Sequence, residues 1–234
     1  MNRVNLFFLV TAALSLIACD EYIKGNGNVI EKTHPVEAFT SLSISGIYDV
    51  ELVPGKSKLT ILADENLHEY ISFKVDDNNL DIHSNNKFLN GEQLKLTVFY
   101  NKLDELALTG ASSVFSSETI KGEKFEIDVS GATELELSVK LKKLIMDLSG
   151  GSELYLSGSA EDVILDVSGA AEINAEELMA ENVSIDITGA GEVSIGVQKT
   201  LNVDVSGAGE VKYIGDPKVT QNISGAGEVK KISK

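Results

Sequence analysis

The 234-residue chain has no tryptophan, three prolines, one cysteine and, after Arg3, no arginine. With Cys19 as the single thiol, an internal disulfide is excluded. Basic residues are scarce, 20 against 36 acidic, for a net charge of −16. So acidic a body repels phosphate backbones, which excludes nucleic acid as a partner. Beyond the first 18 residues no apolar run approaches the roughly 20 needed to span a bilayer. Helical 3.6-residue periodicity is absent too. The three histidines, His34, His68 and His83, have no metal-ligand spacing and read as surface or loop residues. Nucleophile-elbow, Walker-type and zinc motifs are missing. Gly25-Asn26-Gly27-Asn28 is glycine-rich, but no helix follows to make it a phosphate loop.

What is present begins with a processing segment. Residues 1–18 pair a positive start at Arg3 with the apolar run Leu6–Ile17. The run ends in Leu16-Ile17-Ala18-Cys19, which resembles the lipobox of bacterial lipoproteins. That resemblance implies cleavage before Cys19 and lipid attachment to it. The body would then be tethered to a membrane, through more acyl chains than the two signals stable anchoring needs. Loss of Arg3 leaves 19 basic against 36 acidic residues, about −17.

Residues 19–35 read as a tether leading into a first strand. From Val36, alternation predicts strands at Leu42–Ser45, Ile47–Val53, Lys58–Ala63, Ile71–Val75, Leu80–His83 and Leu94–Tyr100. Asp76-Asp77-Asn78-Asn79 is a turn, Asn85–Gly91 a longer polar loop, and Asn66–Tyr70 one turn of helix.

Three phrases in this half, Gly25-Asn26-Gly27-Asn28-Val29, Ser45-Gly46-Ile47-Tyr48-Asp49-Val50 and Ala63-Asp64-Glu65-Asn66-Leu67, resemble the head GIN domain family. The later Ser-Gly-Ala-x-Glu repeats look like the same family. The resemblance runs from about Val36 to Lys230 and implies a right-handed parallel β-helix exported to the cell surface as an adhesin head. No catalytic residues come with it.

The second half is one phrase repeated, with glycines at Gly110, Gly131, Gly150, Gly169, Gly189, Gly207 and Gly225, spaced 21, 19, 19, 20, 18 and 18 residues apart. A near-constant period with apolar–Asp–apolar–Ser–Gly–Ala–small–Glu–apolar in each unit describes a small unit stacked on itself. In Val203-Asp204-Val205-Ser206 the valines point inward and the polar residues outward. The glycine is a corner that needs positive φ or room for the neighbouring rung's backbone. The expected fold is all-β: a single-stranded parallel β-helix of two or three short strands per coil, right-handed as the family resemblance implies. Residues 36–104 form less regular coils, and 105–234 the regular 18–21-residue coils.

In-register stacking makes two acidic columns. Asp128, Asp147, Asp166, Asp186 and Asp204 form one, and Glu134, Glu153, Glu172, Glu192, Glu210 and Glu228 the other. Like charges about 4.8 Å apart repel by on the order of 1 kcal/mol per pair even in water. Calcium could justify the Asp column, since it prefers several carboxylate oxygens, although the nonapeptide pattern of calcium β-helices is missing. Hydrogen bonds from Ser130, Ser149, Ser168, Thr188 and Ser206 to the adjacent Asp column and to backbone corners, or a charged exterior that opposes sheet aggregation, are the other reasons.

The expected role is a lipid-anchored exported binding or structural module at the outer membrane or cell surface. Its partners would be the membrane, through Cys19, and a glycan or surface protein. It would have no cofactor apart from the calcium option, and could associate through its ends or faces. The alternatives are a β-helix polysaccharide lyase or hydrolase, and a purely architectural envelope protein. An irregular acid cluster beside an aromatic in a groove would mark the enzyme, and uninterrupted ladders would oppose it. Tyr48, Tyr70, Tyr100, Tyr155 and Tyr213 fall mostly at apolar strand positions, where core packing is the expected use.

Overall fold

The computed structural model describes residues 22–85 and 88–233; the leader and Cys19 lie outside them. The first half forms β1 (Tyr22–Lys24), β2 (Val29–Pro35), β3 (Ser41–Gly46), β4 (Asp49–Pro54) and β5 (Lys58–Asp64). A 3-10 helix at Glu65–Tyr70 follows, then β6 (Ile71–Asp76), β7 (Asn79–Ser84), β8 (Phe88–Asn90) and β9 (Leu94–Tyr100). The second half runs through β10 (Glu105–Gly110), β11 (Ser113–Ser116), β12 (Ile120–Gly131), β13 (Glu134–Gly150) and β14 (Glu153–Gly169). It ends with β15 (Glu172–Gly189), β16 (Glu192–Gly207), β17 (Glu210–Ile214), β18 (Lys218–Gly225) and β19 (Glu228–Lys231).

Parallel coils stack into a β-solenoid of about seven turns. Its register is that of the repeat: Gly46, Gly110, Gly131, Gly150, Gly169, Gly189, Gly207 and Gly225 lie one above another. Both reasons for the corner glycine hold at Gly131, where φ is +141°. A Cβ there would also overlap the carbonyl oxygen of Gly110 in the rung below. That oxygen instead accepts a 2.9 Å hydrogen bond from the Ala132 N–H, which ties the rungs together at the bend. Inside, Leu106, Ile127, Met146, Leu165, Ile185 and Val203 form one column, each at most 1% exposed.

The small position after the corner also faces inward. It begins as Ser112, Thr133 and Ser152, all buried, and shrinks through Ala171 to Gly191 and Gly209. A Cβ on Gly209 would come within 2.8 Å of Ile187 Cγ2, so bulkier neighbours set the shrinkage.

One expectation about coil shape needs correction. The coils are not built from two or three short strands: β13, β14, β15 and β16 are single strands of 17, 17, 18 and 16 residues. In these four coils a single strand runs from one Ser-Gly-Ala corner to the next, with pairing interrupted inside the coil only by register shifts in β14–β15 and β15–β16. The N-terminal half has the less regular coils, and they are not laid down in chain order. β3 pairs in parallel with both β7 and β10, and β4 with both β9 and β11. The 79–100 coil therefore lies outside the 41–54 coil, and the chain steps back over it to continue at Glu105. Antiparallel pairs β2–β5, β5–β9 and β6–β7 complete this end. The β6–β7 turn places Asp77 and Asn78 at φ +46° and +64°, which suits a two-residue hairpin.

The family-like phrases meet here. Asp64 is fully buried, and its carboxylate accepts hydrogen bonds from the Gly27 N–H at 2.5 Å and the Glu92 N–H at 2.9 Å. A Cβ on Gly91 would sit 2.5 Å from Asp64 Oδ2, and one on Gly25 would overlap the same carboxylate. Asn66 adds a second clasp, accepting from the Asn26 N–H and donating to the Lys24 carbonyl, each at 2.9 Å. The glycine-rich loop thus wraps a buried carboxylate. The expected tether contains β1, and the expected loop Asn85–Gly91 contains β8, with which β1 pairs.

Candidate functional site

Two outward faces carry the acidic columns. On the first, Asp128, Asp147, Asp166, Asp186 and Asp204 are stacked in register, and Asn222 continues the column. Burial, followed by repulsion from Glu126, Asp147 and Glu105, raises the Asp128 pKa above the ordinary aspartate value. Burial, followed by Asp147 and Asp186, does the same to Asp166. Of the two kinds of serine bond expected, a backbone bond is present where Ser149 donates to the Val129 carbonyl at 3.3 Å, and no Ser–Asp bond occurs among the described residues. Asp147 and Ser149 share the outward face but lie about 6.6 Å apart along the strand, beyond the reach of two such short side chains. Asn222 does donate to Asp204, at 3.1 Å, and ends the column on a neutral group. Among the described residues no three carboxylate or imidazole groups converge as a metal site would require.

On the second face Glu134, Glu153, Glu172, Glu192, Glu210 and Glu228 are stacked in register. A parallel column two residues later runs Glu51, Phe115, Glu136, Tyr155, Asn174, Ser194, Lys212 and Lys230. Its ends neutralise the glutamates. Lys95 pairs with Glu51 at 2.8 Å and lies 5.7 Å from the Phe115 ring centre. At the other end Lys212 bridges Glu192 and Glu210, and Lys230 bridges Glu210 and Glu228.

Between these ends lies a groove of about 850 Å³, lined by Glu134, Glu136, Tyr155, Glu172, Asn174, Glu176 and Glu177 together with Leu137 and Leu156. The lining contains no basic residue. Its Tyr155 corrects the expectation of core packing: the side chain is 42% exposed, whereas Tyr48 and Tyr100 are buried. Leu154 and Leu156 take the inward positions on either side, so alternation sends Tyr155 outward. The phenol donates a hydrogen bond to Glu153, and that bond, with the Glu153 charge, raises the Tyr155 pKa above its ordinary value. Asn174 donates to Glu172 at 3.3 Å.

The groove is also where the repeat is broken. Tyr155 pairs with Asn174 but Ser157 with Glu177, so β15 carries one extra residue there. Against β16 the shift lies between Ala175 and Met179. This bulge brings Glu176 and Glu177, which belong to neither column, to the rim. The repeat spacing of 20 residues at this coil was the only sequence trace of it.

The profile of a protein family described as "Putative auto-transporter adhesin, head GIN domain" matches residues 38–217. The chain belongs to the head GIN domain family. Solved structures share its fold. A "putative adhesin" from Bacteroides fragilis superposes with a TM-score of 0.84 at 22% identity, covering 90% of this chain and all of that one. A "putative lipid binding protein" from Parabacteroides distasonis gives 0.73 at 24%, covering 91% and 100%. A "putative adhesin" from Parabacteroides merdae gives 0.67 at 21%, covering 92% and 100%. No curated protein matches the sequence. The head GIN match includes both acidic columns up to Glu210 and the whole groove, and stops before β18 and β19.

Proposed function

We propose that this head GIN domain is a non-catalytic adhesive module, held to the outer face of the cell by lipid on Cys19, whose ligand is a glycan seated in the Tyr155 groove. The groove's lining carries the reading. A fixed aromatic ring offers a stacking surface, and the carboxylates and the Asn174 amide offer acceptors and donors for hydroxyl groups. With five glutamates and no cation in the lining, the site repels uronates and sulfated sugars and suits neutral or amine-bearing ones. Lys95, set between Glu51 and the Phe115 ring, shows how an ammonium fits this pattern. Glycan-array binding of the parent and Tyr155→Ala, with and without calcium, tests it. Binding to neutral or amino sugars that is lost in Tyr155→Ala supports the reading, and no binding in either condition sinks it.

One observation favours the polysaccharide-active alternative. Glu136, Glu176 and Glu177 form an irregular acid group beside an aromatic, off the uninterrupted Glu ladder. Release of reducing ends from a bound glycan, abolished by Glu136→Gln, would establish that reading instead.

A further inference from the structure

The C-terminal end of the stack has two open sheet edges. Among the described residues β18 pairs only with β16, and β19 only with β17. The core columns emerge there: Leu201, Val205 and Val211 are buried, but Val219, Ile223 and Val229, the next residues in the same columns, are only partly covered. The opposite end is different in kind, carrying antiparallel strands and the 3-10 helix, so a head-to-tail stack finds no matching edge.

We propose that this end docks on the same end of a second copy of the chain, across a two-fold axis with β19 antiparallel to β19 and β18 to β18. The charge pattern selects one register. Glu228 and Lys230 face outward and Val229 inward, and facing strands must keep this parity. An axis at Val229 sets Glu228 opposite Lys230 of the second copy, and Val229 opposite its own equivalent. An axis at Glu228 or at Lys230 would instead set like charges together at the dyad, which is unfavourable.

The internal ladder asks for the same partner. Lys212 and Lys230 each span two glutamates, whereas Glu228, the last in the column, pairs among the described residues with Lys230 alone, at 3.8 Å. Lys230 of the second copy brings a second ammonium to it. On β18 an axis at Gln221 sets Val219 opposite Ile223, and the Gln221 amide, donor and acceptor at once, against itself. Gln221 and Val229 each lie four residues from the corner Gly225, so a single axis can cross both strands. The resulting contact is isologous and closes at two copies without growing a fibre.

Sedimentation equilibrium of the full-length protein in detergent, with far-UV circular dichroism to confirm folding, is the test. The parent is expected to be a dimer. Lys230→Glu and Glu228→Lys should each weaken it by at least about tenfold, and the double exchange should restore it. Gln221→Lys, which sets two ammonium groups together at the dyad, should weaken it independently. A parent that stays monomeric, single variants that dimerise like the parent, or a double exchange that fails to recover would each overturn the proposal.

Discussion

Removing the Asp64 carboxylate should loosen the N-terminal end of the solenoid. The group is fully buried and accepts hydrogen bonds from the Gly27 and Glu92 amides. Hydrogen bonds to a buried charge contribute about 1.5–3 kcal/mol each, so Asp64→Ala forfeits about 3–6 kcal/mol and strands two buried donors. Against a total stability of about 5–15 kcal/mol, that is a large fraction. For a chain of this size about 2–4 °C accompany each kcal/mol, so the melting temperature should fall by at least about 6 °C. Asp64→Asn should lie between the parent and Asp64→Ala, because its amide keeps one acceptor but turns an N–H towards the donors. Because β1 and residues 25–28 are held by this carboxylate and by Asn66, hydrogen exchange should accelerate over residues 22–30 before the regular coils change. An Asp64→Ala protein that melts within about 2 °C of the parent, with protection over 22–30 unchanged, would refute the reasoning.

Other outcomes follow from the corners and columns. Gly207→Ala puts a methyl group against the Gly189 carbonyl at φ +137°, and should cost roughly 2–4 kcal/mol in urea unfolding. Asp166→Asn should stabilise at pH 7 by a few tenths of a kcal/mol, because it relieves the partial desolvation of the charge and the repulsion from Asp147 and Asp186, both screened by solvent at this exposed position; no rise in urea midpoint would contradict this. The pH sign follows from the same shift. Asp128 and Asp166 are protonated more readily in the folded state than in the unfolded one. Stability therefore rises as the pH falls from 7 through their raised pKa values towards the ordinary 3.8, a rise that calorimetry should show and Asp128→Asn/Asp166→Asn should flatten. Glu210 acts in the opposite sense: its pKa is lowered, chiefly by the hydrogen bond from Lys230, so its contribution is lost below the ordinary 4.5. Calcium should raise the melting temperature no more than sodium chloride of equal ionic strength; an additional rise would assign the Asp column to cation binding.

The period, the glycines and the alternation around them determined the solenoid, because a rung that repeats every 18–21 residues has one way to bury its apolar positions. Both acidic columns were legible for the same reason: equal spacing becomes equal register. Two things needed the tertiary structure. The N-terminal half has no period, so nothing local could show that the 79–100 coil lies outside the 41–54 coil, or that Gly25, Gly27, Asp64 and Gly91 close on one another. The bulge at the groove is one extra residue in β15 relative to β14, too small a change in spacing to stand out from the ordinary variation between repeats. Its consequence is spatial, because only stacking reveals that Tyr155 faces outward between glutamates that pair with no lysine among the described residues.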